Sequence, residues 1–85
     1  MNNITIKIIP KEEILSILPL LKTLNTTTTE TILIERLLSM VNENYECVGM
    51  YDGNHLIGIS GLWYMTRHYI GKSVEPDHVV IDQAY

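Results

Sequence analysis

The chain has 85 residues, enough for one small domain (1–85) with a two-layer core, which excludes a multidomain machine. Apolar residues make up 46% and charged residues 19%, a globular balance rather than a disordered one. The net charge of −4, with six scattered lysines and arginines, leaves no basic face for nucleic acid. No stretch approaches the roughly 18 consecutive apolar residues of a membrane-spanning helix. Met1-Asn2-Asn3-Ile4 lacks the basic and apolar regions of a secretory signal. A single cysteine, Cys47, makes neither an internal disulfide nor a cysteine-rich zinc site, so a reducing cytoplasm is the expected compartment.

Ile4-Thr5-Ile6-Lys7-Ile8-Ile9 is rich in β-branched residues and alternates in polarity, which predicts a first strand over 4–9. Pro10 ends it, and Lys11-Glu12-Glu13 opens a helix over 11–24 with acidic residues where the dipole favours them. Ile14, Ile17, Leu18, Leu21 and Leu24 recur at helical spacing, while Pro19 should kink that helix or split it near Leu18. Asn25 to Thr29 is a polar loop. Thr27 and Glu30 have capping-box spacing, although any of Thr27, Thr28 and Thr29 suits the cap. The second helix is predicted over 30–43, with Leu33, Leu37 and Val41 stacked on one face.

Tyr45 to Tyr51 predicts a strand with Tyr45, Cys47, Gly49 and Tyr51 on one face. Asp52-Gly53-Asn54 is a hairpin turn, because Asp-Gly tolerates positive φ, and residues 55–64 form the partner strand. Gly58 and Gly61 within it point to a bulge or a close approach of another backbone. Residues 65–72 have no clear pattern. Ser73-Val74-Glu75-Pro76-Asp77 is a connection into a last strand over 78–83. The predicted order is β-α-α-β-β-β, an α+β fold with a mostly antiparallel sheet and two helices.

This order resembles the N-terminal half of the GNAT superfamily of N-acetyltransferases. The resemblance rests on the Leu-rich first helix ending Leu20-Leu21-Lys22-Thr23-Leu24-Asn25 and on Tyr45-Glu46-Cys47-Val48-Gly49-Met50-Tyr51-Asp52-Gly53. It extends through Leu56-Ile57-Gly58-Ile59-Ser60-Gly61-Leu62 to Val79-Val80-Ile81-Asp82-Gln83-Ala84-Tyr85. It implies acetyl transfer from acetyl-CoA to a primary amine. In the family, an Arg/Gln-x-x-Gly-x-Gly/Ala loop after the fourth strand holds the acetyl-CoA pyrophosphate at a helix N-terminus. These 85 residues contain no such loop, so the resemblance implies a truncated fold, inactive alone, with weak or no acetyl-CoA binding.

Family members place a carboxylate near the start of the fourth strand, where it accepts a proton from the substrate ammonium directly or through water. The resemblance carries that role to Glu75 or Asp77, with His78 a lesser candidate; without function, Glu75-Pro76-Asp77 is simply a solvated turn. It likewise implies that the backbone of Val79, Val80 and Ile81 lines the pantetheine arm. Trp63, Tyr64 and Tyr69 suit either a substrate groove or the edge of a core. His55, His68 and His78 lack metal-ligand spacing, and Cys47 has no basic partner, so no metal site and no nucleophile are expected.

Two other functions fit the residues: a non-enzymatic interaction module, and a small ligand-binding α+β domain outside this family. The apolar run Val79-Val80-Ile81 is of a kind buried on both faces, yet nothing else in the 85 residues is left to cover it. An uncovered edge strand pairs with other chains, so a homodimer or higher oligomer through residues 74–85, or else aggregation, is the expected state.

Overall fold

The computed structural model describes residues 3–85. Four strands form one antiparallel sheet in sequence order: β1 (Ile4–Ile8), β2 (Tyr45–Asp52), β3 (His55–Arg67) and β4 (Gly71–Ile81). Between β1 and β2 run a 3₁₀ helix (Lys11–Ile17), α1 (Leu18–Leu24) and α2 (Glu30–Met40). The α+β class and the element order are as the sequence predicts.

The helical segment expected over 11–24 is two pieces. Pro19 has no N–H to give to Leu15, and its ring crowds that carbonyl, so an α-helix cannot run through it. The chain coils instead as an unusually long 3₁₀ helix, then restarts at Leu18 with Pro19 in the first turn, where no N–H is needed. The cap of α2 is Thr29, whose hydroxyl accepts from the Ile32 N–H at 3.4 Å. Glu30 is then the first helical residue and pairs with Lys22 at 3.2 Å, so the Thr27–Glu30 capping box does not form. The helix also ends sooner than predicted, at Met40, with Asn42 and Glu43 in turns.

All the helices lie on one face of the sheet. The core joins Ile14, Ile17, Leu18 and Leu21 to Leu33, Leu37 and Val41, and both groups to Ile9, Tyr45, Cys47, Ile59 and Val80 from below. The strand period of two puts Tyr45, Cys47 and Gly49 under the helices and Val48 and Met50 on the opposite face. Gly53 takes a φ of +61° in the hairpin turn, as its position after Asp52 requires.

The largest correction concerns β4. It is not confined to 78–83 but begins at Gly71, and the expected connection 73–77 is ladder: Val74 pairs with Tyr64, Glu75 with Trp63, Pro76 with Leu62 and Asp77 with Gly61. Pro76 and the polar residues around it argue against a central strand only. β4 lies at the edge of the sheet, where a missing N–H on the outer side costs no ladder bond. The ladder then slips. Asp77 faces Gly61 while Val79 faces Ser60, leaving His78 as the extra residue of a β-bulge.

Among the described residues no helix is long and apolar enough to cross a membrane. Nor does any group of three or more His, Cys, Asp or Glu among them gather to hold a metal ion.

Candidate active site

The bulge decides the geometry of the site. In a regular strand Asp77 and His78 would point to opposite faces. The inserted residue lets both reach the helix-covered side, where each lines a cleft of about 220 Å³ beside α1 and α2. Leu21 and Leu24 of α1 and Leu33, Leu37 and Met40 of α2 form the apolar wall of that cleft. Asn25 and Arg36 complete the lining. The Asn25 carboxamide is already engaged, accepting from the Thr28 N–H at 3.2 Å.

Asp77 is held by two donors. The Trp63 indole N–H donates to one carboxylate oxygen at 3.0 Å, and the His78 backbone N–H donates to the other at 2.8 Å. Led by the indole, these donors hold the carboxyl below the usual carboxylate range, against a smaller opposing effect of burial. Asp77 is therefore an exposed, ionised carboxylate of fixed direction at the mouth of the cleft.

His78 is the deeper group. Its Nε2 lies 2.5 Å from the Tyr45 hydroxyl, and the two rings are 5.8 Å apart. Burial lowers the imidazole pKa, with the nearby Asp77 charge opposing, and burial likewise raises that of the Tyr45 phenol. Both groups are thus neutral near pH 7, which makes the hydroxyl the donor and Nε2 the acceptor. The ring proton then sits on Nδ1, which is buried and has no partner among the described residues.

Gly61 makes room for this pair. A Cβ there would lie 2.5 Å from His78 Nε2 and 2.8 Å from Tyr45 Cε1. Gly58 does the same on the opposite face, where the end of Ile81 closes over it at 2.8 Å. The backbone approach expected at these two glycines is instead an approach of side chains, because the strand neighbours fold their ends over the space a Cβ would fill.

The structure separates the candidate carboxylates. Glu75, two residues before Asp77, forms an ion pair with Arg67, which also donates to the Tyr69 hydroxyl at 3.0 Å, and it does not line the cleft. Val80 is buried under the helices, whereas Val79 and Ile81 point to the open face. Because β4 is an edge strand, its outward backbone groups have no strand partner among the described residues. Trp63 reaches the site by holding Asp77, not by contacting the cleft. Cys47 is buried and unpaired, and burial raises its thiol pKa, the environment of an inert core residue. Sequence reasoning gave Tyr45 no role. The signal that bore on it was Gly61, whose missing side chain requires a large neighbour from the adjoining strand.

The fold resembles part of the fold of solved acetyltransferases. A crystal structure of a GNAT family acetyltransferase from Staphylococcus aureus superposes with a TM-score of 0.78 at 20% identity, covering 98% of this chain and 65% of that one. The ribosomal-protein-alanine N-acetyltransferase of Brucella melitensis gives 0.79 at 12% identity, covering 99% of this chain and 60% of that one. An acetyltransferase from Trypanosoma brucei gives 0.70 at 15% identity, covering 98% and 63%. The chain therefore spans under two thirds of the length of these proteins, and at such identities the likeness is one of fold. No protein-family model matches the sequence, and no curated protein matches it significantly.

Proposed function

We propose that this chain is the amine-binding part of a GNAT-type N-acetyltransferase, which moves an acetyl group from acetyl-CoA to a primary amine. The β4 bulge carries this reading, because it sets an ionised carboxylate and a neutral imidazole side by side at one cleft. An ammonium entering the cleft meets Asp77, whose charge opposes that of the substrate. The amine must lose a proton before it attacks a thioester. Asp77 is the weaker base of the two but is open to solvent, so it holds the ammonium and passes the proton to water. Glu75, committed to Arg67, does not take this role.

Acetyl-CoA, when bound, supplies the activated acyl group. The unpartnered edge of β4 at Val79, Val80 and Ile81 suits the amide groups of a pantetheine arm, which hydrogen-bond as a strand does. No glycine-rich loop among the 85 residues offers backbone N–H groups to the pyrophosphate, so the chain alone binds acetyl-CoA weakly or not at all. Two measurements test this function. Acetyl-pantetheine should shift the amide resonances of Val79 to Ile81, and calorimetry should find acetyl-CoA no tighter than acetyl-pantetheine within about threefold. Micromolar acetyl-CoA binding would contradict the weak-binding part. Acetyl-pantetheine shifts spread elsewhere on the fold would overturn the assignment of β4.

A second reading is favoured by the open face of the sheet. Ile6, Ile8, Val79 and Ile81 are all exposed there. An apolar face beside an unpaired edge serves an interaction module, and the simplest partner is a second copy joined through residues 74–85. Sedimentation at low micromolar concentration should then show a dimer or larger species. A monomer with exchange-protected amides at Val79 to Ile81 would rule it out. A cytoplasmic location accords with the single buried thiol.

A further inference from the structure

We propose that the cleft between α1, α2 and the β4 bulge selects a primary monoamine carried on an apolar chain and discriminates against polycationic amines. The proposal rests on the cleft being the amine site and adds which amine it takes. The groups around the cleft support it by their charge. Asp77 is the one anionic side chain in the lining, and its direction is set by the Trp63 indole and the His78 N–H. It can neutralise one ammonium. The other ionic group is Arg36, a cation on α2, which repels a second ammonium. His78 is neutral, with Nε2 occupied by Tyr45, and gives a second cation no counter-charge. Asn25 spends its carboxamide oxygen on the Thr28 N–H and the rest of the wall is aliphatic, so a second positive charge along it would lose water and gain no partner. An alkyl chain in the same place displaces water from Leu24 and Met40, a gain of about fourfold in affinity per buried methylene.

The test is a titration of the 85-residue chain, followed by amide chemical shifts, with n-butylamine, n-hexylamine and spermidine as probes. Hexylamine should bind about tenfold or more tightly than butylamine, with the largest shifts at Leu24, Met40 and His78, and spermidine should bind more weakly than hexylamine despite its greater charge. Asp77→Asn should weaken hexylamine by about tenfold with the dispersion of the spectrum kept. Arg36→Glu, an exposed substitution that leaves the core untouched, should raise spermidine toward hexylamine. The proposal is overturned if spermidine binds as well as hexylamine to the unaltered chain, if hexylamine shifts residues outside the cleft, or if neither alkylamine saturates. Failure of the acetyltransferase function looks different: hexylamine binds as stated, yet acetyl-pantetheine leaves β4 undisturbed. Conversely, shifts along β4 together with preference for spermidine would leave the acetyltransferase reading standing and remove this one.

Discussion

The two faces of one sheet have nearly the same chemistry and opposite fates. On the covered face Ile59 is 3% exposed and Val80 7%, while on the open face Ile6 and Val79 are each 64% exposed and Ile81 47%. Val79, Val80 and Ile81 are consecutive residues of one strand, separated only by the alternation of the pleat. Residue type is therefore no guide to burial here. An antiparallel sheet with one solvated face ordinarily reads hydrophobic-in and polar-out, and strands apolar on both sides belong to sheets covered twice. The helices cover the apolar residues of one face, and Ile6, Val79 and Ile81 on the other stay exposed.

The largest expected effect contrasts like residues across the sheet. Ile59→Ala should destabilise the chain by about 3 kcal/mol in chemical denaturation, the usual cost of a cavity in a packed core. Ile6→Ala on the open face should stay within about 0.5 kcal/mol. If the two costs prove equal at the concentration used, the open face is covered in solution, which favours the self-associating reading.

The glycines sharpen the same contrast with a smaller effect. Gly61→Ala drives a methyl into the Tyr45–His78 pair beneath the helices, an overpacking that should cost about 1–3 kcal/mol. Gly58→Ala meets only the tip of Ile81, an exposed side chain free to swing away, and should cost less than Gly61→Ala. Equal costs in equilibrium unfolding would show that Ile81 is pinned.

Acid should also act through the covered face. The His78 pKa is lowered from 6.5 by burial, so the unfolded chain binds the proton first. Its contribution is complete above pH 6.5 and is lost as pH falls through the lower folded value. His78→Gln should flatten that segment of the stability–pH curve, and an unchanged slope would show that the imidazole is not buried in its neutral form. Asp77 has a separate window. Its carboxyl is held below 3.8, so its contribution survives to lower pH and fades only as the folded-state value is crossed.

The smallest change in stability is expected from Val79→Lys, within about 0.5 kcal/mol because the side chain is solvent-exposed. Its effect on sedimentation should be plain, since a charge on an edge strand opposes pairing with a second copy. If the sedimentation coefficient of an associating chain does not change, contact between copies lies elsewhere.

What the sequence determined by itself was the order and class of the elements. Period-two and helical spacing are local, and they marked β1, α2 and the β2–β3 hairpin correctly, as Pro19 marked the break before α1. Asp77, His78 and the strand glycines were also legible as residues worth attention. What only the tertiary structure decided was the fate of residues 73–77. Local composition there reads as a connection, and the strand exists because β3 runs on to Arg67 and offers its edge. The same holds for the site. Whether Asp77 and His78 reach the same cleft depends on a one-residue slip at His78, which goes with the close fit of Tyr45, Gly61 and His78 across three strands. No spacing along the chain encodes a contact between residues 45 and 78, because it is made by packing, and packing is a property of strands once they lie side by side.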